Sequence, residues 1–215
     1  MTAPLTLYLM RHGDVHNPDK VLYGRLPGYR LSAKGRTQAQ AAADHLRPIA
    51  LDALYASPME RAQETAQIIA SEQAQIERVI TAADINECYT PFDGTPHAEL
   101  DKIKFDLYTG TDAQYEKPRD LRQRFVRFVQ MLRQTYPNGT VGAVSHGDIV
   151  VTAFMWAMGQ GANDIGRTRT SQSLTRLLEL GLPEPYPATA SISTLTFTSD
   201  DPDERPDYTY IKPYA

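Results

Sequence analysis

Short apolar runs of β-prone residues alternate along this chain with helical patterns, and this alternation restricts the fold more than any other feature. Three runs, residues 5–10, 52–56 and 140–145, are typical of buried strands. Helical patterns intervene, with apolar faces formed by Ala39, Ala42, Ala43 and Leu46 and by Leu121, Phe125, Phe128 and Leu132. Strands that alternate with helices predict an α/β fold whose sheet is largely parallel and covered on both faces.

The length of 215 residues, 41% of them hydrophobic, suits one globular domain over residues 1–215. Residues 88–115 are rich in Pro, Gly, Thr and Asp and carry one predicted helix at 98–108, so this segment is either a lid beside a site or a surface excursion. Further strands are predicted at 78–82, 174–180 and 192–197. The Pro- and Asp-rich segment from about residue 200 is expected to be an exposed tail.

Charge and composition exclude several classes of function. The net charge is −4 and no Lys/Arg run exceeds two residues, so a basic surface for nucleic acid is not expected. The apolar stretches are shorter than the roughly 20 residues that span a bilayer, which predicts a cytoplasmic protein without a membrane partner. Cys88 is the single cysteine, which excludes an internal disulfide and a thiolate metal site. Oligomeric state is not determined by these features.

Charged and imidazole side chains follow three of the predicted strands at the point where each strand ends. The first strand runs into Arg11, His12 and Gly13, and a later one ends at Ser145, His146 and Gly147. Between them, Ser57 and Pro58 follow a strand, and the helix that begins there carries Arg61 in its first turn. Because ligands bind at the carboxyl ends of strands in open α/β sheets, these groups are expected to meet around one anion.

This set of residues matches the needs of phosphoryl transfer without a metal or cofactor. Arginine forks bind the equatorial phosphate oxygens, and a neutral imidazole on a rigid strand end serves as nucleophile. We therefore predict that His12 attacks phosphorus, that His146 donates to the transferring group, and that Glu87 is the proton donor. Asp148, just after Gly147, is the alternative donor.

Four segments together resemble the histidine phosphatase superfamily, the phosphoglycerate mutase-like proteins. They are Arg11-His12-Gly13 followed by Asn17, residues 31–39 with Gly35 and Gln38, Ser57-Pro58 with Arg61, Ala62 and Thr65, and Ser145-His146-Gly147. The resemblance implies a three-layer α/β/α sandwich with a mostly parallel central sheet and a phosphohistidine at His12. The phosphate pocket that it implies consists of Arg11, Asn17, Arg61 and His146, and Glu87 matches the acidic position of the family.

The resemblance also suggests how a substrate enters. Tyr23-Gly24-Arg25 is similar to the loop that lines the substrate entrance in this family, and Gly147 adds a backbone amide beside the phosphate. Arg25 is either a ligand for a second anionic group or an exposed loop arginine. The implied partner is a small phosphorylated substrate.

Three functional alternatives stay open or fail on particular residues. A mutase that returns the phosphoryl group to the substrate, and a binding module without turnover, would use the same pocket; we favour the phosphatase. A serine hydrolase at Ser145 fails because no histidine follows His146 in the sequence. A cysteine phosphatase at Cys88 fails because Gly94 stands where its arginine would be.

Overall fold

The computed structural model describes residues 2–161 and 171–214. Its centre is a six-stranded sheet in the order β3-β2-β4-β1-β5-β6. The strands are β1 (Leu5–Arg11), β2 (Ala53–Ala56), β3 (Ile80–Thr81), β4 (Gly139–Ser145), β5 (Ile192–Phe197) and β6 (Asp207–Ile211). The first four neighbours pair in parallel, as the sequence predicts. Strand β5, which the sequence also predicts, and β6 are antiparallel, so the sheet is mixed.

Helices cover both faces of this sheet. They are α1 (Ala33–Leu46), α2 (Glu60–Ala70), α3 (His97–Lys102), α4 (Pro118–Thr135), α5 (Gly147–Ala157) and α6 (Ser171–Glu179). Side chains alternate along β1, so Leu9 packs with α4 and α5 while Met10 packs with α1 and α2. The two apolar cores on opposite faces make the predicted three-layer α/β/α arrangement, in the manner of phosphoglycerate mutase-like proteins.

Local sequence explains where the helices flanking the site begin. Ser32 lies just before α1, and its Oγ accepts from the Gly35 backbone N–H at 3.0 Å, which satisfies one free donor of the first turn. Pro118 occupies the first turn of α4, where its missing N–H costs nothing. None of the helices in the described ranges is long and apolar enough to cross a membrane.

Two sequence predictions near the C-terminus are wrong. Residues 174–180 were predicted as a strand, but α6 runs through most of them; Leu174, Leu177 and Leu178 lie at helical spacing. The segment from residue 200 was predicted as an exposed tail, yet only its first part fits. Asp200 to Asp203 are exposed, and β6 then pairs with β5 along the sheet edge.

The 88–115 segment has less regular structure than predicted. The helix expected at 98–108 ends early, since α3 covers only His97–Lys102. The segment packs on the loop after β1: Leu22 N–H donates to Thr95 O at 2.8 Å and Gly94 N–H donates to Leu22 O at 2.8 Å. The same contact buries Leu100 and Leu107 against Leu22.

Candidate active site

The register of the central strands brings the predicted residues together. Arg11 on β1 pairs with Ser145 on β4, and the His12 N–H donates to Ser145 O at 2.9 Å. On the other side of β4, the Ser57 N–H donates to Val144 O at 2.9 Å. Three strand ends therefore stand side by side, and the imidazole rings of His12 and His146 lie 5.3 Å apart, centre to centre.

The tautomer of His12 is fixed by its backbone. Its Nδ1 lies 2.7 Å from Gly13 O, and because a carbonyl oxygen only accepts, Nδ1 must carry the proton. The lone pair therefore resides on Nε2, which accepts from Arg61 Nε at 3.2 Å. His12 presents its nucleophilic nitrogen to Arg61 and the cleft.

His146 is held in the opposite tautomer by a chain of three hydrogen bonds. Asn86 Oδ1 accepts from the Glu87 N–H at 2.8 Å, and Ser57 Oγ donates to the same oxygen at 3.2 Å. Since the single Ser57 hydroxyl hydrogen is used there, Ser57 Oγ must accept from His146 Nε2 at 2.6 Å. His146 Nδ1 is thereby turned toward Arg61 Nη2, 3.1 Å away.

Arg61 stands between the two imidazoles and is almost completely buried, with 1% of its side chain exposed. Its Nη2 also donates to Gly24 O at 2.8 Å and lies 3.5 Å from Glu87 Oε2. The guanidinium lies over the Tyr23 ring at 4.7 Å from the centroid. One residue of the first turn of α2 thus contacts His12, His146 and Glu87.

Burial and positive charge keep both imidazoles neutral. Burial is the main cause that lowers the pKa of His12 well below its ordinary value, and the charges of Arg61 and Arg11 lower it further. Burial likewise lowers the pKa of His146, with Arg61 the next cause. The pKa of Arg61 is lowered by burial, against the opposing charge of Glu87. A neutral nucleophile surrounded by donors is the state that attack on a phosphate requires.

Arg11 reaches the site from the first strand. Its Nη1 donates to Pro187 O at 2.6 Å, and its guanidinium lies 5.1 Å from the centroid of the Tyr186 ring. Its Nε is buried and finds no acceptor within the described part of the chain.

Glu87 and Asp148, the two candidate proton donors, lie in different surroundings. Glu87 lines the cleft, and its Oε2 is 3.4 Å from His146 Nδ1. Asp148 is 2% exposed and accepts from Tyr108 Oη at 2.8 Å and from Tyr186 Oη at 2.6 Å. Glu87 therefore faces the space where a substrate would bind. Asp148 is buried behind this space, and both of its oxygens accept hydrogen bonds from tyrosines.

Of the four remaining predicted residues, two line the cleft and two do not. Gly24 and Gly147 line the cleft, and Gly24, at φ +36°, has no room for a side chain because a Cβ there would lie 1.7 Å from Asp93 Oδ1. The Asn17 amide exchanges hydrogen bonds with the Val21 backbone, at 2.9 and 3.2 Å, and closes that turn. Arg25 Nη2 pairs with Glu116 Oε2 at 2.9 Å. Neither Asn17 nor Arg25 is among the described residues that line the cleft.

Several residues of the site were not assigned a role from the sequence. Ser57 and Tyr23 appear in the sequence analysis only as parts of motifs, and Asn86 and Tyr186 carry no signal beyond their chemistry. The role of Ser57 could have been predicted, because its strand ends at the same sheet edge as two strands that run into histidines, and a hydroxyl there is well placed to form a hydrogen bond with an imidazole. Tyr186 could not, because it comes from a distant loop.

The cleft has a volume of about 370 Å³. Within the described residues, no three His, Cys, Asp or Glu side chains are grouped so that they could hold a metal ion.

A family model and several known proteins are similar to this chain. The model of the histidine phosphatase superfamily (branch 1) matches residues 7–202. An uncharacterized protein of Mycobacterium tuberculosis, Rv0525, is 48% identical over 94 residues, 44% of this chain and 46% of that protein, so the match spans less than half of the relative's length.

Two further relatives are matched over most of their length. The adenosylcobalamin/alpha-ribazole phosphatase of Escherichia coli is 25% identical over 186 residues, which cover 82% of this chain and 90% of that protein. Among solved structures, a mycobacterial glucosyl-3-phosphoglycerate phosphatase superposes with a TM-score of 0.73 at 21% identity, covering 95% of this chain and 96% of that one. The second likeness concerns the fold alone.

Proposed function

The chain belongs to the histidine phosphatase superfamily, and from this premise we propose that it hydrolyses phosphomonoesters through a phosphohistidine at His12. The observation that carries the proposal is the 2.7 Å hydrogen bond from His12 Nδ1 to Gly13 O. That bond leaves the Nε2 lone pair directed at Arg61, which is the donor best suited to hold a phosphate oxygen.

In the first step, Arg61 Nε exchanges its hydrogen bond to His12 Nε2 for one to an oxygen of the incoming phosphoryl group, and Nε keeps its proton. Nε2 then forms a bond to phosphorus while the bond from phosphorus to the leaving oxygen breaks. Arg11 and Arg61 stabilise the charge on the equatorial oxygens, and the backbone amides at the start of α5, from Gly147, add a positive dipole end. In place of the direct donation predicted from the sequence, His146 gives its Nε2–H to Ser57 and orients Arg61 through its Nδ1 lone pair. A protonated Glu87 gives its proton to the leaving oxygen.

In the second step, Glu87 acts in the opposite direction. Its carboxylate takes a proton from a water molecule, the hydroxide oxygen bonds to phosphorus, and the bond from phosphorus to Nε2 breaks. Inorganic phosphate leaves, and His12 regains the lone pair on Nε2. No step uses a metal ion, since the arginines supply the positive charge that a cation would otherwise provide.

We assign the 88–115 segment to the wall of this cleft within the same single domain. The segment packs on the loop of Leu22 and contributes His97 and Phe105 to the lining. Its closure over a bound ester would decide whether water or an alcohol acceptor reaches the phosphohistidine. We favour hydrolysis over mutase transfer.

The test is turnover of p-nitrophenyl phosphate in the presence of EDTA, together with trapping of the phosphoenzyme. We expect release of nitrophenol and, after rapid denaturation in base, a phosphoryl group whose bond is stable to base and labile to acid. His12→Ala should lose both, while the exposed control His45→Ala should keep both. Full turnover by His12→Ala, or a phosphoryl group on another residue, would contradict the mechanism. Saturable phosphate binding without turnover would instead identify a binding module.

A further inference from the structure

The cleft wall that is not made by the catalytic groups is apolar and largely aromatic. Its members are Val21, Leu22 and Tyr23 in the loop after β1, His97 and Phe105 in the 88–115 segment, and Tyr186. Among the lining residues that the structure describes, Arg11 is the one lysine or arginine, and it adjoins His12. A leaving group therefore meets ring faces and aliphatic side chains once its phosphoryl group is bound.

Arg25, which the sequence offered as a ligand for a second anion, is committed elsewhere. Its Nη2 pairs with Glu116 Oε2 at 2.9 Å, and its Nε donates to Glu87 O at 2.8 Å. Arg124 pairs with the same carboxylate, Nε to Oε1 at 2.8 Å. Arg25 is held by these contacts and is not among the described residues that line the cleft, so it is not placed to bind an anionic leaving group there.

Phe105 is held in the wall by the backbone at the end of α3. The Phe105 N–H donates to Leu100 O at 2.8 Å and the Lys104 N–H donates to Asp101 O at 3.0 Å. These two hydrogen bonds are the pair that defines a Schellman motif. Lys104 at φ +53° and Phe105 at φ +52° both adopt the left-handed conformation, which residues other than glycine seldom do. Such a conformation persists where the surrounding structure requires it, and here it turns the ring of Phe105 to the cleft.

The packing behind Phe105 fixes the ring as a platform. Its edge-on contact with the His97 ring has a centroid distance of 5.5 Å and an interplanar angle of 68°. The ring also packs against the buried cluster of Leu22, Leu100 and Leu107. A flat apolar group that enters the cleft finds a preformed surface of similar chemistry.

We propose, building on the hydrolase function above, that this enzyme selects phosphomonoesters of uncharged alcohols that carry a flat apolar ring, and that Phe105 determines this selectivity. A ring removed from water against Phe105, Leu22 and Tyr186 is bound by the hydrophobic effect. A carboxylate in the same place would lose its hydration without gaining a cation from that part of the wall, as far as the described residues form it. The selectivity thus excludes esters with a second charge as much as it favours aromatic ones.

Three monoesters of primary alcohols test this assignment, because their leaving oxygens are chemically alike. They are ethyl phosphate, which has no ring, phenethyl phosphate, which has a phenyl ring, and O-phosphoserine, which has an ammonium and a carboxylate where phenethyl phosphate has the ring. We expect kcat/KM to be highest for phenethyl phosphate and lowest for O-phosphoserine. Phe105→Ala should lower the ratio of phenethyl to ethyl phosphate kcat/KM about tenfold, the effect of losing one apolar wall.

Phe92→Ala is the matched control. Phe92 packs on the same Leu22 cluster from the same segment but is not among the described residues that line the cleft, so its loss should leave the ratio unchanged. Turnover of none of the esters would overturn the hydrolase itself. Turnover with O-phosphoserine preferred, or with a ratio unaffected by Phe105→Ala, would leave the hydrolase intact and overturn the aromatic selectivity.

Discussion

Ser57 Oγ accepts a hydrogen bond from His146 Nε2 at 2.6 Å, and this contact joins the ends of two neighbouring parallel strands. Because the Ser57 hydrogen is already given to Asn86 Oδ1, the bond has only one possible direction. His146 is therefore kept with its Nδ1 lone pair toward Arg61 Nη2, and Arg61 in turn keeps its Nε–H on His12. The two imidazoles are set in complementary tautomers through one arginine.

Ser57→Ala should lower kcat about tenfold, because it leaves a buried imidazole N–H without its acceptor, a loss of roughly 1–3 kcal/mol. His146 is then free to carry its proton on Nδ1, where the N–H would face the N–H groups of Arg61 Nη2 and the hydrogen bond between the two residues would be lost. Steady-state kinetics and the ¹⁵N shifts of the His146 ring measure the two effects. Ser71→Ala, at an exposed helix end, is the control. A wild-type kcat with unaltered ring shifts would remove Ser57 from the mechanism.

Arg61→Lys should lower kcat/KM by about 10²–10³, the usual effect of losing a donor to the transition state. A single ammonium cannot reproduce the separate donations of Nε to His12 and of Nη2 to Gly24 and His146. The same exchange at Arg36, an exposed arginine paired with Glu64 at 2.7 Å, should leave the rate unchanged. Equal rates for both variants on a phosphate ester would show that Arg61 only supports the fold.

Glu87→Gln should lower kcat/KM, which reports the first step, by about 10²–10⁴ for alkyl phosphates and far less for p-nitrophenyl phosphate, since nitrophenolate leaves without a proton. Asp148→Asn should slow both substrates alike, because Asp148 lies behind the cleft and acts by accepting from Tyr108 and Tyr186. The ratio of the two rates in each variant distinguishes these roles. A leaving-group dependence in Asp148→Asn alone would make Asp148 the donor.

The sequence predicted the part of this molecule that depends on neighbouring residues. The strands ending at Arg11 and Ser145 are continuous apolar runs that carry their functional groups directly behind them, so their placement at one sheet edge followed from chain order. The sheet was predicted as largely parallel for the same reason. The helix through Leu177 was mistaken for a strand because a short apolar run fits either period.

The parts that were not predicted depend on partners from distant positions. The sequence leaves Arg25 as either an anion ligand or an exposed loop residue, because its ion-pair partner Glu116 lies 91 positions away along the chain. The sequence offers Asp148 as an alternative proton donor and does not show that Tyr108 and Tyr186, both distant along the chain, donate to its two oxygens. The sequence does not predict β6 because the Pro- and Asp-rich residues before it resemble a tail, while the strand is stabilised by distant partners, namely β5 and, through Tyr208, Phe154 of α5.

The stability of the fold should depend on pH through the two buried histidines. The pKa values of His12 and His146 are lowered in the folded protein, chiefly by burial, whereas in the unfolded chain they return to about 6.5. Below about pH 6.5 the unfolded state therefore binds protons that the folded state does not. The free energy of unfolding should be level above this pH and fall below it, by up to about 1.4 kcal/mol per pH unit for each histidine.

Urea unfolding at pH 7.5, 6.5 and 5.5 measures this slope, and His12→Gln isolates one contribution. Glutamine does not titrate, so the variant should lose about half of the decrease between pH 6.5 and 5.5 that the two histidines cause. His45→Gln, at an exposed site, is the control for the substitution itself. A slope in His12→Gln equal to that of the wild type would mean that His12 takes up its proton while still folded. In that case the Nε2 lone pair would be lost below pH 6.5, and hydrolysis would decline with it even where the fold persists.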